Sequence, residues 1–227
     1  MKTLLLWDID GTLLTAGGAG MRALEAALSR EFKRDNSLSS IDFAGRTDIW
    51  IMRQIFAHVG LPDDDANIQR LINAYLAELP TALQNPGNRV LPGVAAALAA
   101  LAAHGGCVQA LLTGNVERGA RIKLGHHKLS HYFAWGAFAD DGERRNDLGP
   151  VALRRAREKH GIEFAPERVF VIGDTPHDIA CGKVIGAQTI AVATGQYSVD
   201  ELRAANPTFV LADLSDTASL LRALGLA

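Results

Sequence analysis

What this chain has little of narrows its chemistry before any motif is read. Only two cysteines occur in 227 residues. Cys107 and Cys181 lie far apart in apolar or glycine-rich surroundings, which marks them as reduced packing residues and not as a disulfide or a thiolate metal pair. Aromatic residues make up 6% of the chain and are scattered, so no stacking platform for a nucleobase is visible. Positive charge is not in excess: the formal net charge is -2, which lacks the electrostatic footprint of a nucleic-acid or anionic-membrane partner. Long apolar runs are missing too. Asp8 interrupts the leucines near the start well short of a secretory signal, and the apolar stretch 94–103 ends in His104, Gly105 and Gly106 before it could span a bilayer. A cytoplasmic protein is expected, with neither nucleic acid nor membrane as partner. The oligomeric state stays open.

What is present begins at residues 4–12, where an apolar run breaks into two carboxylates, Asp8 and Asp10, followed by Gly11 and Thr12. A strand leaving a core would hold Asp8 at its tip, with Asp10 two residues on and facing the same way. Taken alone, this pattern is balanced by a plain strand followed by an Asp-Gly turn. Three stretches of helical spacing follow. Met21, Leu24, Leu28 and Phe32 form the first; Ile51, Ile55 and Val59 form the second, which stops at Gly60. The third carries Ile68, Leu71, Ile72, Tyr75 and Leu79, opens on the acidic run 63–65 and halts near Pro80. Gly17-Gly18-Ala19-Gly20 has no preceding strand tip and no dinucleotide spacing, and reads as a hinge.

From Val94 onward helices alternate with short apolar strands at 107–112, 132–138, 169–172, 188–192 and 209–211, with a basic helix over about 150–159. That alternation predicts an α/β fold: a Rossmann-like parallel sheet covered on both faces, formed by residues 1–15 and 86–227. The all-helical block 16–85 does not fit between the first two strands of such a sheet and is expected to be an inserted cap. Two later strands end as the first does, in Thr113-Gly114-Asn115 and in Gly173-Asp174-Thr175-Pro176-His177-Asp178. In a parallel sheet these tips share one edge, so Asp8, Asp10, Thr113, Asp174 and Asp178 would face one crevice. Four carboxylates cannot crowd there ionised without a cation, and an all-oxygen donor set suits Mg²⁺.

The order Asp8-x-Asp10-Gly11-Thr12, then Thr113 after a strand, then Gly173-Asp174-x-x-x-Asp178 resembles the haloacid dehalogenase superfamily, and within it the capped phosphatases that include phosphoglycolate phosphatases. The resemblance implies a Mg²⁺-dependent phosphatase of a small phosphomonoester. In it Asp8 is the nucleophile that forms an aspartyl-phosphate, and Asp10 is general acid and then base. Metal would be held by Asp8, the backbone carbonyl of Asp10 and Asp174, with Asp178 orienting a water or completing the shell. Thr113 and the amides of Gly114 and Asn115 would meet phosphoryl oxygens, although Asn115 could equally cap a helix. The family expects a lysine before the last acidic motif, and the stretch 140–147 has none. An arginine must stand in: Arg145 by its position nearer the helix start, with Arg144 as competitor.

Arg46, in a Gly-Arg-Thr-Asp turn of the helical block, is a candidate for a second anionic group on the substrate, against the plainer reading of a solvated arginine. His126, His127 and His131 lack the partners of a zinc site and read as surface or packing residues, while His177 lies inside the last acidic loop. Two alternatives share these residues: a phosphosugar mutase of the β-phosphoglucomutase type, and a non-catalytic module that senses phosphate. The sequence leaves the substrate unnamed.

Overall fold

A computed structural model describes residues 2–226. Its centre is strand β1 (Thr3–Trp7), whose side chains alternate between two cores. Leu5 and Trp7 enter one apolar cluster and Leu4 and Leu6 the other, so the strand is apolar on both faces, as a covered parallel strand must be. On one side β1 pairs with β4 (Cys107–Leu112), which pairs with the short β5 (Gly136–Ala137). On the other it pairs with β6 (Val169–Gly173), followed by β7 (Gln188–Val192) and β8 (Phe209–Leu211). All pairings are parallel, in the order β5-β4-β1-β6-β7-β8. The chain leaves β1 toward β4 and returns through β6 toward β7. A topological switch therefore falls beside β1, where ligands gather at strand C-termini.

Between β1 and β4 the chain makes α1 (Ala19–Phe32), α2 (Asp48–Val59) and α3 (Asp65–Ala82). Thr47 caps α2 by accepting from the Trp50 amide at 3.2 Å, and Asp64 caps α3 through the Asn67 amide at 2.9 Å. An antiparallel ribbon of β2 (Leu14–Ala16) and β3 (Asn88–Val90), which the sequence pattern did not announce, ties the two ends of this block together. Gly17 and Gly18 sit at its exit with positive φ, and α1 starts directly after them. The block buries Phe56, Leu71 and Leu79 in the same apolar cluster as Leu5 and Trp7.

The remaining helices are α4 (Val94–Ala103), α5 (Glu117–His126), α6 (Arg145–His160), α7 (Pro176–Val184), α8 (Val199–Ala204) and α9 (Thr217–Ala223). Three boundaries differ from the sequence pattern. The strand expected over 132–138 shrinks to two residues, because Phe133 and Trp135 bury in opposite cores, which an extended chain cannot do two residues apart. Helix α3 runs two residues past Pro80, losing only the bond its ring nitrogen cannot donate. Helix α6 begins at residue 145, not 150: Pro150 lies within it, and the carbonyl it leaves free belongs to the exposed Asn146. The earlier start decides the site, since it makes Arg145 the first helical residue and buries it.

Because the three-helix block and the sheet share one core, they should melt together. Leu71→Ala, at a fully buried position on α3, is expected to destabilise the whole chain by roughly 2–5 kcal/mol in a single transition followed by circular dichroism. Two separated transitions would mean that the block folds independently.

Candidate active site

The tips of the three central strands carry the polar residues. Asp8 follows β1, Thr113 follows β4 and Asp174 follows β6. Asp178 enters from the first turn of α7, where it closes a capping box: its Oδ2 accepts from the Thr175 amide at 3.1 Å and from the Thr175 hydroxyl at 2.8 Å. Carboxylate oxygens of Asp8, Asp174 and Asp178 lie within 4.8 Å of one another, and all three residues are buried. Arg145 answers that crowding. Its Nη2 donates to Asp8 Oδ1 at 3.0 Å, to the Leu112 carbonyl at 2.8 Å and, more closely still, to Asp178 Oδ1. Arg144 is exposed, and its contribution is a backbone amide bonded to Asp147.

The electrostatics follow from the packing. Loss of water pushes Asp8 up to about 6; the Arg145 guanidinium opposes this, while Asp178 and Asp10 add to it. Burial also raises Asp174 well above the carboxylate range, with Asp178 and Asp8 contributing and the Thr12 hydroxyl, 3.1 Å from its Oδ1, pulling the other way. The backbone closes tightly around these acids. A Cβ on Gly11 would come within 2.2 Å of Asp174 Oδ2, one on Gly195 within 1.8 Å of the same atom, and one on Gly173 within 2.2 Å of Asp178 Cγ. The three carboxylates offer an all-oxygen, glycine-walled donor set, which fits a hard divalent cation.

Asp10 faces elsewhere. Its Oδ2 accepts from Asn115 Nδ2 at 2.8 Å and from Lys123 Nζ at 2.6 Å, outside the acidic triad. Asn115 does not cap α5, whose N-cap is Val116. Its amide instead joins Asp10 to the Thr113 hydroxyl, 2.9 Å away. Lys123 went unnoticed in the sequence because it sits mid-helix among basic residues. Its place in the stripe Gly119, Ala120, Lys123, Leu124 was the available signal, since all four bury one face of α5. Burial alone would lower its ammonium, but Asp10, Tyr75 and Asp48 outweigh that and raise it.

The helical block roofs this edge. The Asp48 amide donates to the Gly114 carbonyl at 2.7 Å, and Asp48 Oδ2 accepts from the Val116 amide at 2.8 Å. The Thr47 hydroxyl donates to the Glu143 carbonyl, and Arg53 reaches the Glu143 carboxylate at 3.0 Å. A Cβ on Gly114 would lie 2.0 Å from the Arg46 carbonyl, so the contact requires glycine there. Beneath the roof is a cavity of about 440 Å³. Asp8, Asp10, Gly114, Asn115, Arg145 and Asp174 line one end, Arg46 and Gln196 lie along it, and Met21, Leu24, Ile41, Phe43, Ile51 and Tyr75 supply its apolar wall. Arg46 stacks its guanidinium over Trp50 at 4.5 Å and lies 3.9 Å from Asp42. The Nε atoms of Arg46 and Arg145 are both buried without a partner among the described residues. Of the sequence-predicted residues, Thr113 and Asp178 do not line the cavity; they stand behind it, bonded to Asn115 and to Arg145.

The comparisons agree with this architecture. A family profile described as HAD-hydrolase-like matches residues 145–217. Over that segment the chain is similar to haloacid dehalogenase-type hydrolases. It is similar to "Probable phosphatase IndB" of Dickeya dadantii, 29% identical across 99% of this chain and 95% of that protein. A 5'-nucleotidase of Pseudomonas aeruginosa is 27% identical across 93% and 91%. In fold the chain resembles a predicted phosphoglycolate phosphatase from Haemophilus somnus, with a TM-score of 0.75 at 16% identity, covering 96% of this chain and 97% of that one.

Removing the central cation tests its structural role. Arg145→Ala would leave buried carboxylates unpaired, a loss of roughly 3–5 kcal/mol at neutral pH. With the arginine gone, Asp8 would rise beyond its present value of about 6, against an ordinary 3.8. A carboxyl raised on folding costs stability when ionised. The deficit should therefore be full at pH 8 and shrink as pH falls through 6 toward 4, as read by urea denaturation at both pH values. Arg144→Ala should show neither effect.

Proposed function

We propose that this protein is a Mg²⁺-dependent phosphatase of small phosphomonoesters that works through a phosphorylated Asp8, with residues 16–85 acting as a cap over a core of residues 1–15 and 86–227. The observation that carries the reading is the convergence of Asp8, Asp174 and Asp178 around Arg145 at one end of a roofed cavity. Asp8, Asp174, Asp178 and the backbone carbonyl of Asp10 would hold the ion. When bound, Mg²⁺ supplies positive charge that offsets the repulsion between a carboxylate and a phosphoryl group.

The chain's own residues do the rest. Asp8 attacks phosphorus while Arg145 holds its other contacts fixed; the unpartnered Arg145 Nε has a donor left for a phosphoryl oxygen. Gly114 and Asn115, in the turn before α5, line the cavity and would meet the same oxygens, with the Thr113 hydroxyl behind them holding the Asn115 amide. Asp10 gives a proton to the leaving oxygen and then takes one from the hydrolytic water, a role worth roughly 10²- to 10⁴-fold in rate. The roof of α2 keeps bulk water out. Arg46, whose Nε has no hydrogen-bond partner among the described residues and is 3.9 Å from Asp42, would meet an anionic or polar group on the far part of the substrate. The setting we assign is the cytoplasm, and the partner a phosphorylated metabolite.

A screen for phosphate release over small phosphorylated metabolites, with and without Mg²⁺, tests the reading. Activity should appear with Mg²⁺, vanish with chelator and return on re-addition. Isomerised phosphosugar without free phosphate would reassign the chain to mutase chemistry, and phosphate binding without turnover to a sensing module. Asp8→Asn should abolish release while the circular dichroism spectrum is retained; substantial residual turnover would remove Asp8 from the nucleophile role. Arg46→Ala should raise KM by about tenfold, the weight of one charged hydrogen bond, for substrates with a second anionic group, and leave KM for those without one nearly unchanged.

A further inference from the structure

Asp10 has two carboxylate oxygens, and the fold has committed only one of them. Lys123 Nζ lies 2.6 Å from Asp10 Oδ2 and 2.6 Å from Asn115 Oδ1, while Asn115 Nδ2 donates to the same Asp10 Oδ2 at 2.8 Å. Asp10 Oδ1 accepts no hydrogen bond among the described residues. The Asp10 side chain is 41% exposed toward the cavity, whereas that of Lys123 is only 6% exposed. We propose that Lys123 is a positioning residue: together with Asn115 it clamps Asp10 Oδ2, so that Oδ1 alone faces the leaving group.

The placement is unusual for a lysine. It belongs to the buried stripe of α5 with Gly119, Ala120 and Leu124, where an aliphatic side chain would be buried without desolvating a charge. A buried ammonium is costly unless paired, and this one is paired with the carboxylate of the proposed acid. The terminal torsion of an aspartate is soft and roughly two-fold, so an unclamped Asp10 would share its proton between two oxygens and two directions.

The inference rests on the phosphatase reading and refines it. As the Asp8 oxygen–phosphorus bond forms and the phosphorus–leaving-oxygen bond breaks, the electron pair stays on the leaving oxygen, which takes the proton from Asp10 Oδ1. In the second half, water attacks phosphorus, its proton passes to Asp10 Oδ1, and the Asp8 carboxylate departs. Between the two halves Asp10 carries a negative charge that Lys123 compensates at Oδ2.

Leaving groups that need no proton provide the test. p-Nitrophenyl phosphate expels a stabilised anion, whereas glycerol phosphate expels an alkoxide that must be protonated. Asp10→Asn, Lys123→Met and Lys123→Arg are compared with the parent enzyme on both. For Lys123→Met we expect kcat/KM, which reads only the step that expels the leaving group, to fall by about 10- to 100-fold on glycerol phosphate and by about threefold at most on p-nitrophenyl phosphate, a fraction of what a general acid supplies. Lys123→Arg should recover part of the loss. Should the methionine variant fail to fold, the arginine variant carries the comparison with a smaller loss of the same selectivity. Equal losses on both substrates, or none, while Asp10→Asn remains selective, would overturn the clamp and leave the phosphatase reading intact. If Asp10→Asn itself shows no selectivity, the acid role falls and the clamp with it. No phosphate release from the parent on either ester would overturn the reading on which the clamp depends.

Discussion

The structure depends on one buried ion cluster. Asp8 and Asp178 are brought side by side by a strand tip and a helix start, and Arg145 satisfies both at once, with side-chain exposures of 9%, 2% and 5%. Burying like charges in a medium that screens them poorly is prohibitive unless an opposite charge is built in. The fold provides it by starting α6 at residue 145, before the proline that the sequence pattern takes as the boundary. The Cys181 thiol, donating to the Arg145 carbonyl at 3.2 Å, ties the same turn to α7. Arg145 is thus a structural counter-ion in the resting protein and, in the proposed reaction, a group already aimed at phosphate.

A second device encloses that cluster. The start of α2 lies directly over the turn after β4, with Asp48 bonded through both its amide and its carboxylate. Burial pushes the Asp48 carboxyl up to about 6, an effect Lys123 and the Val116 amide partly offset. The roof and Lys123 are therefore linked electrostatically: the ammonium that pairs with Asp10 also faces the acid that holds the helical block down. The cavity between them is polar where the acids gather and apolar along α1, α2 and α3. Its size, about 440 Å³, leaves room for a leaving group well beyond the phosphoryl end.

Much of this was legible in the chain. Alternating apolar runs and helical stripes gave the order of elements, and the three polar strand ends converge because neighbouring parallel strands end at one edge. Other features were not. Phe133 and Trp135 look like a strand in composition, and only the opposed cores reveal why they are not one. Asn115 has the residue type of a cap, yet its amide is drawn to Asp10, 105 positions away. Lys123 looks like one of several basic residues on a helix, and its meaning depends on which face of α5 is buried.

The sequence by itself determined the layers of the fold, the strand tips that carry Asp8, Thr113 and Asp174, and the excess of carboxylates there, because periodicity and turn chemistry are local. Only the tertiary structure decided which cation answers which acid. Arg145 reaches Asp8 across 137 residues and Lys123 reaches Asp10 across 113. Pairing of that range is fixed by packing in three dimensions: burial selects the one partner that can neutralise a charge with no water at hand.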